Sequence, residues 1–214
     1  NGASFTPAAA RSLQAISIQS SDGFDSDTEV LNVNVVIDLA QGDIVFTGFN
    51  SDADDDFAFV PLVNLDATSG GDIEIKFTDN EWDGTSAFNT GEGEIVWTLS
   101  AASVPAGTVV TINTVGTTAT ANFGSVSGTM DLANDNEAIF VFTGFQDAVF
   151  DVITAISNDG NNGFGDLTNT GLTLGTNAID LTGDADVGQY TGSRVNQQTF
   201  GGYVAQINTV GNWT

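Results

Sequence analysis

Apolar and polar positions alternate with a period of two along much of this chain. In 30–38, Leu31, Val33, Val35 and Ile37 share one face, and Asn32 and Asn34 share the other. In 72–78, Ile73, Ile75 and Phe77 alternate with Glu74 and Lys76; in 94–99, Ile95, Trp97 and Leu99 do the same. Each reads as a half-buried strand. Further strands are predicted over 13–19, 43–49, 57–65, 108–114, 118–123, 137–144 and 149–156, joined by Gly, Asn, Asp and Ser clusters that supply turns. This spacing predicts an all-β fold, a β-sandwich of about ten short strands. Pro61, inside FAFVPLVNL, predicts an edge strand or a bulge, because proline donates no ladder hydrogen bond. Near the C-terminus Val195, Phe200, Tyr203, Val204 and Ile207 are spaced for one helix, which Gly201 and Gly202 weaken.

Two units are expected. Residues 1–41 form an N-terminal β-extension, a candidate donor or edge strand, and 42–214 form the sandwich module. A short echo runs between DIVFTGFNSD (43–52) and AIFVFTGFQD (138–147). Its plainer reading, favoured over duplication, is that Phe-Thr-Gly-Phe suits a strand ending in a turn.

Charge changes the picture. Against 28 Asp and Glu stand three basic residues, Arg11, Lys76 and Arg194, for a formal net charge of -25. Yet hydrophobic residues make up 41% of the chain, with 15 Phe and three Trp, so a core is available and this is no disordered acidic tail. With no basic patch to meet phosphate, nucleic acid and anionic membranes are poor partners. The longest apolar runs, such as AIFVF (138–142), are strand-sized, far short of the ~20 residues of a membrane-spanning helix. The polar start NGASFTPAAAR fits a mature N-terminus left by processing, and a Thr-, Asn-, Gly- and Asp-rich chain with one Lys has the look of a bacterial cell-surface protein, with halophilic adaptation of a cytoplasmic protein as the plainer alternative.

The carboxylates cluster. NSDADDD (50–56) offers Asp52, Asp54, Asp55 and Asp56; TDNEWDG (78–84) offers Asp79, Glu81 and Asp83. Hard cations such as Ca²⁺ take six to eight oxygens, which two such loops supply together, although neither follows the EF-hand order. These seven residues are the candidate metal ligands and Ca²⁺ the candidate cofactor; a solvated acidic turn is the alternative. SSDGFDSDTE (20–29), SNDGNNGFGD (157–166) and TGDAD (182–186) read better as ordinary turns. With neither His nor Cys in the chain, zinc, copper and iron sites and Ser-His or Cys-His catalysis are disfavoured. GSVSG (124–128) is not a nucleophile elbow, since its middle residue is Val126. No catalytic residue is assigned and no enzyme is expected. Trp97 reads as core, and Trp82 as a plug at the end of the sandwich rather than a platform for sugars.

The stretch 42–101, with GFNSDADDDFAFV, KFTDNEWDG and FNTGEGEIVWT, resembles a β-sandwich module of secreted bacterial proteins, loosely similar to lamin-tail-like sandwiches. The ending YVAQINTVGNWT is similar to that module's last helix and Asn-Trp-Thr close. The resemblance implies the fold and an extracellular or cell-surface setting. It implies no single activity, since such modules sit in large proteins beside enzymatic or adhesive domains. A module with an N-terminal extension and little else points to self-assembly, with SLQAISIQ (12–19) as a strand for a neighbouring sheet. The expected function is therefore an extracellular structural protein, the Ca²⁺-stabilised subunit of a bacterial filament or surface layer, with itself as partner. The alternative is a Ca²⁺-dependent adhesin module that binds surface glycans.

Overall fold

The computed structural model describes residues 14–21, 26–33, 39–52, 54–68, 71–159, 164–181, 183, 185–195 and 199–214. Seventeen strands run through them: β1 (Gln14–Ser21), β2 (Ser26–Val33), β3 (Ile44–Asn50), β4 (Asp56–Pro61), β5 (Leu65–Asp66), β6 (Ile73–Thr78), β7 (Trp82–Asp83), β8 (Glu94–Leu99), β9 (Ser103–Val104), β10 (Val110–Asn113), β11 (Thr120–Ala121), β12 (Ser125–Thr129), β13 (Ala138–Phe145), β14 (Ala148–Ser157), β15 (Gly165–Asp166), β16 (Ala178–Asp180) and β17 (Val187–Gln189). Helix α1 (Phe200–Ile207) and a 3₁₀ turn (Val210–Asn212) close the chain. The fold is all-β and sandwich-like, as the alternation predicts.

Two sheets make the sandwich. Sheet I has the order β11-β10-β4-β3-β17, and sheet II the order β12-β8-β6-β13-β14-β16. The alternating residues face each other between them: Phe46, Phe57 and Phe59 from sheet I meet Ile75, Phe77 and Trp97 from sheet II. The Phe77 ring lies 4.8 Å from that of Phe57 and 5.2 Å from that of Phe59. Each outer face has its own cover. On sheet I, Val45, Val60 and Tyr190 pack against Ile207 of α1. On sheet II, Phe140 and Phe142 pack against Trp82, Phe88 and Phe164, which lie in or beside β7 and β15. Strand β13 is thus buried on both faces, which is why AIFVF is continuously apolar instead of alternating.

Strands β1 and β2 pair antiparallel over all eight residues, from Gln14↔Val33 to Ser21↔Ser26, as a separate two-stranded sheet. The candidate donor strand is therefore hydrogen-bonded within its own chain. Part of the acidic stretch read as a loop over 20–29 belongs to β2, and residues 34–38 of the strand expected over 30–38 lie outside the described residues.

Pro61 corrects an expectation. Strand β4 lies inside sheet I, between β10 and β3, not at an edge. The proline is tolerated because it is the last residue of the strand, past the β10 register, which ends at Phe59. Its carbonyl accepts a hydrogen bond from Gly107 N–H. The bulge falls instead on β3, where Thr47 has no partner between the pairs Phe46↔Phe59 and Gly48↔Ala58.

The two halves of the echo, VFTGF, fall on β3 and β13, one in each sheet and each opening an antiparallel pair. Their irregularities differ. In β3 the extra residue lies on the motif strand, whereas β13 has its extra residues on the facing strand β14. The plainer reading of a strand ending in a turn accounts for this without duplication.

Helix α1 begins at Thr199, whose Oγ1 accepts from Gly202 N–H, and is shorter than the sequence spacing suggested. Val195 lies outside it and is exposed, as is Phe200; Ile207 is its buried residue. Trp213 anchors the end of the chain through an indole N–H donated to Ile207 O at 2.7 Å.

Because Phe77 sits fully buried among three other rings, Phe77→Ala should lower the urea-unfolding free energy by about 3–5 kcal/mol. Glu74→Ala, on the exposed face of the same strand, should change it by less than about 0.5 kcal/mol.

Candidate functional site

The acidic loops meet at one end of the sandwich, where they are organised around the segment 130–138. Three successive amides of that segment are each received by a different carboxylate. Asp131 N–H donates to Asp79 Oδ2 at 3.1 Å, Leu132 N–H to Asp55 Oδ2 at 3.3 Å, and Ala133 N–H to Glu137 Oε2 at 2.7 Å. The acceptors come from the loop after β6, the β3–β4 loop and the start of β13. Asp55 reaches its position from a left-handed backbone, φ 47°, which a short polar side chain tolerates better than most.

Each carboxylate has further ties. Asp79 Oδ1 accepts from Gly93 N–H, and Glu137 Oε1 from Ala138 N–H. Asn158 Nδ2 holds the same segment by donating to the carbonyls of Ala133 and Asn134. Beside Asp79, Thr78 Oγ1 donates to Gly93 O, Asn80 Nδ2 donates to Thr78 Oγ1 and to Gly93 O, and Glu92 N–H donates to Asn80 Oδ1. Gly93 has no room for a side chain, since a Cβ there would stand 2.1 Å from Thr129 O. Thr78, Asp79 and Asn80 are all buried, so the TDN of the FTDNEW stretch is a buried polar brace.

The electrostatics follow from burial without cations. Asp79 is 3% exposed and Glu137 6%. Burial pushes Glu137 up to about 8, against the two amides that favour its ionised form, and Asp79 and Glu92 add repulsion. Burial likewise raises Asp79 and Asp55, with Asp131 adding repulsion to each. Glu92 rises through burial and the charges of Glu81 and Asp79. Asp83 goes the other way, to about 2: exposed, it accepts from the amides of Thr85, Ser86 and Ala87 and from Thr85 Oγ1.

The seven candidate ligands therefore divide. Asp55 and Asp79 converge on neighbouring amides. Asp56 Oδ1 accepts from Thr114 N–H at 2.7 Å, and Asp83 caps its own turn. Asp52 and Asp54 are exposed, and Glu81 is half-buried, its carbonyl accepting from Asn89 N–H. Among the described residues, no group of three or more acids is arranged to hold a metal ion. Sequence reasoning missed Glu92, Asp131 and Glu137; the only signal was that they too are acids in loops or at a strand start.

Trp82 is buried as expected, but it covers the outer face of sheet II and does not plug the end of the sandwich. It is 5% exposed, packs edge-on to Phe88 at 5.2 Å and donates its indole N–H to Thr168 O. Its faces are not open to a sugar. Lys76, on the polar face of β6, lies 3.9 Å from Glu94 Oε1 and over the Phe145 ring. A separate groove of about 280 Å³ lies between α1 and sheet I, lined by Thr47, Val60, Leu62, Tyr190, Arg194 and Tyr203 among others. Apart from Arg194 it is uncharged, and none of the candidate acids reaches it. Its residues come from scattered segments, so no local motif announces it.

No family model, curated protein or solved structure matches this chain. Among the described residues no helix is long and apolar enough to cross a membrane.

The raised Glu137 makes a pH prediction with a definite sign. Folded, this carboxyl keeps its proton up to about pH 8; unfolded, it loses it near its ordinary 4.5. Its contribution to stability is thus fully present below about pH 4.5 and is lost as pH rises through 8. The melting temperature should fall between pH 5 and pH 8.5, as measured by circular dichroism. Glu137→Gln should be less stable at pH 5, since its NH₂ faces one of the two amides, at a cost of about 1–3 kcal/mol. Its melting temperature should nevertheless fall less steeply across that range.

Proposed function

We propose that this chain is an extracellular structural protein, a subunit of a bacterial surface filament or surface layer, stabilised by Ca²⁺ and assembled through β-strand contacts. The observation that carries this reading is the amide clamp of Asp55, Asp79 and Glu137. Three carboxylates grip one loop of their own chain, and none of them lines the groove beside α1. Acids used in this way fit a building part, not a catalyst. The likeness of the FTDNEW stretch to modules of secreted proteins supports the setting.

Ca²⁺ enters as a stabiliser of the acidic end. The clamp leaves Asp52, Asp54, Asp131 and half-buried Glu81 around the same loops, beside carboxyls already strained by burial and mutual repulsion. A hard cation taking some of these oxygens together with water and loop carbonyls would relieve that repulsion. The adhesin alternative loses its aromatic platform, because Trp82 is buried.

Negative-stain microscopy of the purified chain should show regular filaments or sheets in the presence of Ca²⁺. Melting at low salt should shift upward with Ca²⁺ and back with a chelator, as expected for a ligand that binds the folded state. Monodisperse monomers whose melting ignores both additions would remove this reading.

A further inference from the structure

Charge is missing from a long continuous part of the chain, and the shorter run Val187–Thr214 has Arg194 as its one charged residue. All 28 acidic and three basic residues lie outside the stretch from Ile95 to Met130. The fold gathers this stretch on one flank. It supplies nearly all of β8 and the whole of β9, β10, β11 and β12. β11 and β10 end sheet I, β12 and β8 end sheet II, and β11 touches β12. The same border of both sheets thus carries no charge of its own, although Asp55 and Asp56 come up against its β10 end. Phe123, on this border, is 42% exposed.

β12 is the outermost strand of sheet II. β8 lies on one side of it, and among the described residues no strand lies on the other. Alternate amides and carbonyls of such an edge point outward and unpaired. The usual guards are absent from its sequence SVSGT, which has no Lys, no Pro and no inward charge. Ser125, Ser127, Gly128 and Thr129 are exposed, and only Val126 turns toward the core. Gly128, at φ 90°, bends the end of the strand and leaves 124–127 as the usable edge. The other borders are protected. β17 is followed by the C-terminal segment, where Gln189 and Thr214 exchange both backbone hydrogen bonds. β16 is three residues long and carries Asp180, and β11 is two residues long.

We propose that two copies of this chain pair antiparallel along β12, joining their six-stranded sheets across a two-fold axis. This rests on the assembly reading above and names the edge. Electrostatics selects the occupant. A basic partner would be drawn to the carboxylate surfaces, not to a flank that lacks them. A second copy of an acidic chain can approach closely at such a flank, and the other acid-free part, Val187–Thr214, has its β17 edge closed by the Gln189–Thr214 hydrogen bonds. Antiparallel pairing also sets the end of β12 near Glu94 and Asp131 against the neutral Phe123–Ser125 end of the other copy. Parallel pairing would bring the two acidic ends together. Glu74 and Lys76 lie two strands inward, beyond β8.

Sedimentation velocity of the full chain tests this. The dimer should strengthen as salt rises, because salt screens repulsion between the acidic surfaces while the edge hydrogen bonds persist. Ser125→Glu with Ser127→Glu should weaken dimerisation at least about tenfold, with melting unchanged. Val187→Glu, on β17, should leave it intact. In the wild-type chain, amide exchange over 124–127 should slow as protein concentration rises, a readout that needs no variant. Dimers unaffected by the double substitution, or a chain that is monomeric at every salt concentration, would overturn the proposal. Filaments that survive the double substitution would remove β12 and leave the assembly role standing. A β12 dimer that never forms filaments or sheets would do the reverse.

Discussion

With three cations for 28 carboxylates, this chain has few ion pairs available to hold its acids in place. Lys76 with Glu94 is a loose ion pair, at 3.9 Å. Backbone amides take over the role. They meet Asp79, Asp55 and Glu137 across the 130–138 segment, Asp56 at the β10 end and Asp83 in its own turn. Amide dipoles favour the ionised carboxylate without adding net charge. Where the acid is exposed, as at Asp83, the amides prevail and its pKa falls to about 2; where it is buried, as at Glu137, desolvation prevails and its pKa rises to about 8. The same chemistry thus gives opposite shifts, and depth decides the sign.

This clamp connects to the core. The segment it holds leads directly into β13, which is buried on both faces. Ile139 and Val141 face sheet I, while Phe140 and Phe142 face the loops around Trp82 and Phe164. A strand packed on both sides admits little error in register, since a one-residue slip would exchange its two sets of contacts. The amides of 131–133 and the Asn158 bridge fix where β13 begins. The acidic end and the double-sided strand are therefore one construction, and loosening the first would unseat the second.

The strands with clear alternation were legible from sequence. Ile73, Ile75, Phe77, Ile95, Trp97 and Leu99 are buried where period two places them. β12 was not legible, because SVSGT offers one apolar residue and owes its strand conformation to the β8 ladder. Pro61 misled because a rule about strand interiors was applied to a strand end. At the candidate site, the run Asp52–Asp56 looked uniform. The structure separates Asp55 and Asp56 from Asp52 and Asp54 by what each can reach, and the 130–138 amides that donate to Asp55 and Asp79 lie 77 and 52 residues away. Such pairings leave no local trace. Burial of Trp82 was legible because the FTDNEW segment read as structural, but its packing on Phe88, and on Phe140 and Phe142 far along the chain, was not.

The distribution of charge matters more than its sum. Spread evenly, a net charge of -25 would oppose every contact between copies. Here the acids lie elsewhere in the chain, and the border formed by β8, β10, β11 and β12 contains none beyond Glu94 at its rim. Repulsion between acidic faces then works as orientation: approaches through them are disfavoured, and the uncharged edge is among the approaches that remain. An unguarded strand edge on a neutral protein invites indiscriminate pairing. On this one, in the proposed pairing, Glu94 and Asp131 at one end of β12 would favour a single direction.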